Sequence, residues 1–283
     1  MMKLSHKTAE IYIPDNQPLP MALERTSHLA IGAHQDDLEI MAAAPILDCF
    51  QKSDLWFTGI VVTDGRGSPR DGLYQRYTDE QMRLVRFQEQ RKAAIIGEYA
   101  AQILLDHPSA AVKDGENNTV VDDLLAILKT CRPDFVYTHN LADKHDTHIG
   151  VALRTIAAIR RLPASERPQK LFGCEVWRGL DWMLDDDKVG FDLSGQQNIQ
   201  SALVAIFDSQ ISGGKRYDLA FEGRNRANAT YFKSHNVDTT SSVSFAMDMT
   251  PLIQDNTRDP LDFVQELLRR FSDDVKTRLM RMR

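Results

Sequence analysis

Residues 27–40 read SHLAIGAHQDDLEI, and this stretch decides the fold. A short apolar run, SHLAIGAH (27–34), has the composition of a buried strand. It ends in small residues, then in His34-Gln35-Asp36-Asp37, and LEIMAAAPILDCF (38–50) follows as an apolar, alanine-rich helix. The same alternation continues outward. LWFTGIVVT (55–63) is rich in β-branched and aromatic residues and predicts a second strand, closed by the glycine- and proline-marked loop DGRGSPRDG (64–72). An amphipathic helix is expected from about Thr78 to Tyr99, then a strand QILLD (102–106) and a helix VVDDLLAILKTC (120–131) stopped before Pro133. DFVYTH (134–139), a helix over roughly 147–161 and KLFGCEVW (170–177) complete the series. Strands alternating with helices predict an α/β fold with a mainly parallel sheet and helices on both faces.

Beyond residue 178 the pattern changes. DWMLDDDKVGFDLS is acidic and loop-like, NIQSALVAIFDSQ is helical, and SSVSFAMDM (241–249) is a further strand. No repeat, low-complexity tract or linker separates this part. The expectation is therefore one domain over 1–283, with a core of about 27–178 and a C-terminal α+β elaboration of about 179–283. Residues 1–26, polar and proline-dotted, are expected to form an arm leading into it.

Of the 283 residues, 42% are hydrophobic and 26% charged, the balance of a globular domain. A net charge of -6 argues against a nucleic-acid partner, which calls for a basic footprint. Cys49, Cys131 and Cys174 are odd in number and far apart, so they are expected as reduced thiols and not as a disulfide framework. The first twenty residues lack the apolar core of a signal peptide, and no apolar run reaches the roughly 18 residues of a membrane span. A cytoplasmic enzyme is the expected class.

Ligands of open parallel sheets bind beyond the carboxyl ends of the strands. Two polar clusters fall there: His34 to Asp37 after the first strand, and HNLADKHDTH (139–148) after the fourth. A catalytic zinc needs three protein ligands and one open position. His34 and Asp37, three apart at a turn entering a helix, can aim at one point, and His148 is the expected third ligand. Such a metal acidifies water and polarises a carbonyl. A carboxylate must then move the proton, and Asp36 is the candidate. His145, one turn before His148, is expected to stabilise an oxyanion when protonated. Two histidines and an aspartate also make the ligand set of non-haem iron sites, so Fe2+ stands beside Zn2+.

Taken together, these residues resemble a known family. AIGAHQDDLE looks like the AHPDDE motif of the PIG-L/LmbE-like zinc N-acetylglucosaminyl deacetylases. THNLADKHDTH resembles their second motif, roughly HNxxDxHxDH, and VRFQEQRKAAIIG their RxxE helix, with Arg86 and Glu89 matching. The resemblance runs from about residue 28 to 160. It implies a Rossmann-like fold, zinc on His34, Asp37 and His148, Asp36 as base, Arg86 as a substrate-binding residue, and N-acetylated sugars as substrates. Three positions depart from the pattern: Gln35 replaces proline, Leu38 replaces glutamate with Glu39 one place later, and Thr147 replaces aspartate with Asp146 one place earlier. Asp143 or Asp146 is expected to take over orienting the ligands.

Asp64 and Asp143, in the loops past the second and fourth strands, are counted with Arg86 as substrate-binding residues. GGKRYDLAFEGRNRANATYFKSH (213–235) holds Lys215, Arg216, Arg224, Arg226 and His235. It is either a solvated basic surface or a segment that closes over the site and binds an anionic group. The expected function is a metal-dependent hydrolase that removes an N-acyl, most simply N-acetyl, group from an amino sugar or sugar conjugate, as a homo-oligomer or alone. Two rivals stay open: a non-catalytic sugar- or nucleotide-binding module, and a metal-dependent ester or phosphoester hydrolase. The absence of GxGxxG or GxxxxGK[ST] after the first strand weighs against the former.

Overall fold

A computed structural model describes residues 2–283. In chain order its strands are β1 (Glu10–Tyr12), β2 (His28–Gly32), β3 (Phe57–Thr63), β4 (Ala101–His107), β5 (Phe135–His139), β6 (Lys170–Cys174), β7 (Lys188–Asp192) and β8 (Val243–Asp248). The helices are α1 (Met21–Glu24), α2 (Asp37–Met41), α3 (Ala43–Cys49), α4 (Asp79–Ile96), α5 (Ser109–Lys113), α6 (Thr119–Cys131) and α7 (Asp146–Arg160). The C-terminal third adds α8 (Gln197–Ala205), α9 (Asp208–Ile211), α10 (Tyr217–Tyr231), α11 (Thr250–Gln254) and α12 (Pro260–Arg281).

All eight strands form one sheet in the order β1-β4-β3-β2-β5-β6-β8-β7. The five strands from β4 to β6 are parallel, as the helical crossovers between them require. The edges are not. β1 runs antiparallel to β4, β8 antiparallel to β6, and β7 antiparallel to β8. The sheet is therefore mixed, which corrects the expectation of a mainly parallel one. The two edges come from the segments whose patterning was least strand-like: the polar arm supplies β1, and the stretch read as an acidic loop supplies β7. Both are short and only partly buried, as strands with one neighbour usually are.

Neighbouring residues of the central strands point to opposite faces, and two apolar layers result. Ile31, Ile60 and Ile103 join Leu128, Val151 and Ile156 on one face, while Ala30, Val61 and Leu104 join Leu38, Phe87 and Tyr99 on the other. The helix expected over 38–50 breaks at Ala42 into α2 and α3. Pro45 explains the break, since its ring has no N–H to return to Met41. The three cysteines are free and buried. No described helix is long and apolar enough to cross a membrane.

Chain order reverses at β2: β3 and β4 lie to one side of it, β5 and β6 to the other. This is the switch point at which open α/β sheets leave a crevice. Because β2 and β5 pair directly, with Ile31 opposite Thr138, the two polar clusters emerge side by side.

Candidate functional site

The chain leaves β2 through Ala33 and turns over His34, Gln35 and Asp36 into α2. Gly32 permits this turn. A Cβ there would stand 3.1 Å from the Asp37 Cβ and 3.1 Å from Leu38 Cδ2. The His34 N–H donates to Asp37 Oδ2 at 2.6 Å, closing the turn on itself. Asp36 sits at its apex with φ 96°, a left-handed conformation. A non-glycine residue held there stores about 1–3 kcal/mol, and such strain collects at functional sites.

The second cluster converges on the same point. His148 Nε2 lies 3.3 Å from His34 Nδ1 and 3.5 Å from Asp37 Oδ1, and His34 Nδ1 lies 3.3 Å from Asp37 Oδ2. Two imidazole lone pairs and a carboxylate facing one another are a donor set that calls for a cation. Ligand atoms of His34, Asp37 and His148 all fall within 4.8 Å of one another, so the three residues fit the zinc that the motifs imply. Asp143 fixes the tautomer. Its Oδ2 pairs with His148 Nδ1 at 3.3 Å, which places the proton on Nδ1 and leaves Nε2 free to ligate.

Asp143 is therefore not in the position expected of a substrate-binding residue. It lies behind His148, only 4% exposed, and its oxygens accept the N–H groups of Lys144, His145 and Trp177. Asp146, the alternative for orienting the ligands, is exposed, and Thr147 lines the cavity in place of the motif's aspartate.

Sequence reasoning passed over His139 as a strand end. It is fully buried, stacks on His148 with ring centroids 3.8 Å apart, and accepts the Ala33 N–H through Nε2 at 2.9 Å. Its Nε2 lies 3.4 Å from Asp37 Oδ2, and burial beside His148 pushes its pKa down to about 4. A second donor group, His139, Asp143 and His148, shares His148 with the first. Its position as the last residue of a strand buried on both faces, opening the second polar cluster, was the available clue.

Charges in the site are uneven. Burial would raise the pKa of Asp37, but His148 and His139 hold it well below the usual carboxylate range. Asp36 goes the other way: burial pushes it well up, Asp37, Glu39 and Glu89 add to the rise, and Arg86 opposes it. Burial also lowers His34. His145 is lowered by burial and by its neighbours His148 and His34, so the resting site favours the neutral imidazole over the protonated form expected from the sequence. Its Nδ1 is buried without a partner, and the residue lines the cavity.

Arg86, on α4, is 1% exposed. Its Nη2 donates to the Gln35 carbonyl and lies 3.6 Å from Asp36 Oδ2, and its Nε donates to Gln35 Oε1 at 3.3 Å. Nη1 is buried and has no partner. Gln35, in the place of the motif's proline, also donates through Nε2 to the Thr63 carbonyl at 3.1 Å. Leu38 is buried in the core under β2 and β3, while Glu39 accepts from Gln90 and Tyr99 at 2.7 Å each; burial raises its pKa to about 7.

A cavity of about 690 Å³ opens over these groups, lined by His34, Asp36, Asp37, Asp64, Arg86 and His145 among others. Asp64 thus stands at its wall, although its carboxylate is engaged by Arg66 at 2.9 Å. The C-terminal third closes the far side with Gln210, Lys215, Tyr217, Phe221 and Arg224. Glu89, the second residue of the RxxE match, anchors that wall by accepting the Ser209 N–H at 2.8 Å and its hydroxyl at 2.6 Å. Of the basic segment 213–235, Lys215 and Arg224 reach the cavity, whereas Arg216 and Arg226 are exposed and paired with Asp218 and Glu222.

Comparison with known proteins agrees with this geometry. The curated relative "Uncharacterized deacetylase YaiS" of Escherichia coli K12 is 29% identical over 150 residues, 53% of this chain and 76% of its own. Among solved structures, N,N'-diacetylchitobiose deacetylase from Pyrococcus horikoshii superposes with a TM-score of 0.61 at 15% identity, covering 86% of this chain and 90% of that one. GalB, the 4-carboxy-2-hydroxymuconate hydratase of Pseudomonas putida, gives 0.58 at 15% identity, with 79% and 95% covered. At these identities the likeness is one of fold, and the fold carries two different reactions. The family model "PIG-L: GlcNAc-PI de-N-acetylase" matches residues 29–159. That segment contains the whole constellation from His34 to His148, and over it this chain is similar to the PIG-L family of deacetylases.

Proposed function

We propose that the chain is a metal-dependent, in the first instance zinc-dependent, hydrolase that removes an N-acyl group from an amino sugar or sugar conjugate. The observation that carries this reading is the meeting of His34, Asp37 and His148 beside Asp36 and Arg86 at one cavity. His34, Asp37 and His148 would hold the metal, and Asp143 would keep His148 in its ligating tautomer. A zinc bound there supplies Lewis acidity, polarising a carbonyl and lowering the pKa of water.

The remaining work falls to the chain's own side chains. Asp36 accepts the proton of the attacking water and returns it to the departing amine. Its raised pKa suits the second half of that cycle, because burial favours the protonated carboxyl, the form that gives a proton to the amine. Arg86 keeps Asp36 from becoming so weak an acid that it never ionises, and offers Nη1 to the substrate. His145 presents a neutral imidazole to the carbonyl oxygen.

Two measurements test the reading. Metal content of protein purified without chelator should be near one per chain in the wild type and much lower in His148→Ala. Acetate release from a panel of N-acetyl amino sugars should fall by about 10²–10⁴-fold in Asp36→Asn with metal retained. Unchanged turnover in Asp36→Asn would remove that residue from its role. Metal-free protein that takes up no zinc would favour a binding module instead.

A further inference from the structure

The last helix, α12, is the element least held by the rest of the chain. Its buried residues are Phe263 and Leu267, and Val264 packs against the core beside them. From Leu268 to Arg283 no residue is buried. About four turns of helix therefore run on past the body, tied to it early on by the Arg270–Asp187 pair at 2.6 Å. An isolated helix of this length is marginal in water, and most helices are stabilised by packing an amphipathic face. α12 has such a face, and it is open. Leu261, Leu268, Phe271, Val275, Leu279 and Met282 are all exposed, Leu268 by 47%, Leu279 by 60% and Met282 by 84%. Together with Val264 they follow one another at steps of three or four residues, within about 80° of one another around the helix axis. So narrow a stripe is the seam along which helices pair, narrower than the apolar face of a helix laid on a core. Four acidic side chains on α12 nearly offset its five basic ones, which leaves little net charge to draw it to an anionic lipid surface.

The seam is also self-complementary. It is symmetric about the Phe271–Ser272 bond: Leu268 and Val275, Val264 and Leu279, and Leu261 and Met282 stand at equal distances on either side. Charge in the outer turns reverses about the same point, with Asp262 and Glu266 before it and Lys276, Arg278 and Arg281 after it. Glu266 is paired with Arg258 at 2.9 Å and Arg278 with Asp274 at 2.6 Å. Asp262, Lys276 and Arg281 make no ion pair among the described residues. We propose that α12 pairs with α12 of a second copy of this chain, antiparallel, about a two-fold axis near Ser272. A parallel pair would set two basic ends side by side. The antiparallel pair sets the acidic turns of each helix against the basic turns of the other and opposes the two helix dipoles, and a two-fold axis lets one stripe serve both copies. The unburied half of each helix then lies along the anchored half of its partner, with the two bodies at opposite ends. This surface is independent of how the cavity is read.

Sedimentation equilibrium of the full chain at micromolar concentration reads the association. Wild type should form dimers, or a larger assembly that halves when the stripe is broken. Leu268→Glu/Leu279→Glu, a change at exposed positions whose fold is checked by melting, should weaken the pairing by about 100-fold or more. A short bis-maleimide reads the orientation, since the three native cysteines are buried. Ser272→Cys, beside the axis, should be linked to its own copy. Met282→Cys should not, because antiparallel pairing puts the two copies of that residue about 30 Å apart. A wild type that stays monomeric overturns the proposal. So does an assembly that the stripe variant leaves intact, since the copies then meet elsewhere, or linking of Met282→Cys to itself, which requires a parallel pair. A monomer that instead sediments with vesicles of phosphatidylcholine and phosphatidylserine, and loses this in the stripe variant, overturns self-pairing and gives the face to lipid.

Discussion

Replacing Asp143 by Asn asks the most of the proposed centre, because the change is nearly isosteric and touches no ligand directly. Asp143 presents two acceptor oxygens to four donors: Oδ1 to the N–H groups of Lys144 (2.5 Å) and His145 (3.2 Å), Oδ2 to the Trp177 N–H (3.1 Å) and to His148 Nδ1 (3.3 Å). An amide has one oxygen and one NH2. Placed with its nitrogen toward His148, it forces the imidazole to carry its proton on Nε2, which then points at His34 Nδ1 and Asp37 Oδ1 where the proposed metal would be held. Placed the other way, it leaves the N–H groups at the entry of α7 facing a donor. Losing such an orienting partner costs about 10–100-fold in metal affinity, or about 1.4–2.7 kcal/mol. The buried unpaired donors should cost a further 1–3 kcal/mol or so in stability. Zinc affinity is read by competition with a chromophoric chelator at pH 7, and folding by thermal melting. A folded Asp143→Asn protein that binds zinc within about two-fold of wild type would refute the tautomer argument and, with it, His148 as an Nε2 ligand.

The fold offers two further tests. Gly65 has φ +68°, and a Cβ there would stand 2.3 Å from Gln35 Oε1; Gly65→Ala should lower stability by about 1–3 kcal/mol and Tm by several degrees, whereas Gly67→Ala, with nothing within 4 Å, should not. Glu175 is buried, and burial raises its pKa despite the N–H groups of Leu180 and Phe245 and the charge of Arg224. A carboxyl whose folded pKa exceeds its unfolded value near 4.3 binds more protons when folded, so its contribution is fully present below that pH and is lost as pH rises through the folded value. The difference in Tm between wild type and Glu175→Gln should therefore shift against the wild type as pH is raised from about 4 to 7; a constant difference would show that Glu175 titrates normally.

Sequence reading reached the site where chemistry is local. His34 and Asp37 lie within one turn, His145 and His148 within another, and both follow recognisable strands, so their meeting follows from topology alone. It could not reach residues whose role depends on what packs across from them. His139 looks like an ordinary strand-end residue until His148 is placed against it, and the sequence left Asp143 and Asp146 as equal candidates for orienting the ligands until the packing around His148 separated them. The C-terminal third was least legible for the same reason. Lys188–Asp192 is too short to declare itself a strand without β8 beside it, and Tyr217 and Lys215, just past α9, face the site beside an α9 that the Glu89–Ser209 bonds tie to α4.

Two of the three departures from the family motif, Gln35 and Glu39, form one connected substitution and not separate defects. A proline at position 35 would stiffen the turn through its ring. Gln35 stiffens it through bonds instead, reaching the end of β3 through Thr63 and taking Arg86 from α4 onto its own carbonyl and side chain. Gly65 has to be a glycine because that glutamine occupies the space. Glu39, one place beyond the motif's glutamate, turns into α4 and ties Gln90 and Tyr99, and Gln90 in turn accepts the Asp36 N–H at 3.3 Å. The left-handed Asp36 is thus held from both flanks by α4, the helix that also carries Arg86. A change that loosens α4 from the turn, such as Gln90→Ala, should therefore move Asp36 and Arg86, the residues proposed for proton transfer and substrate binding, together.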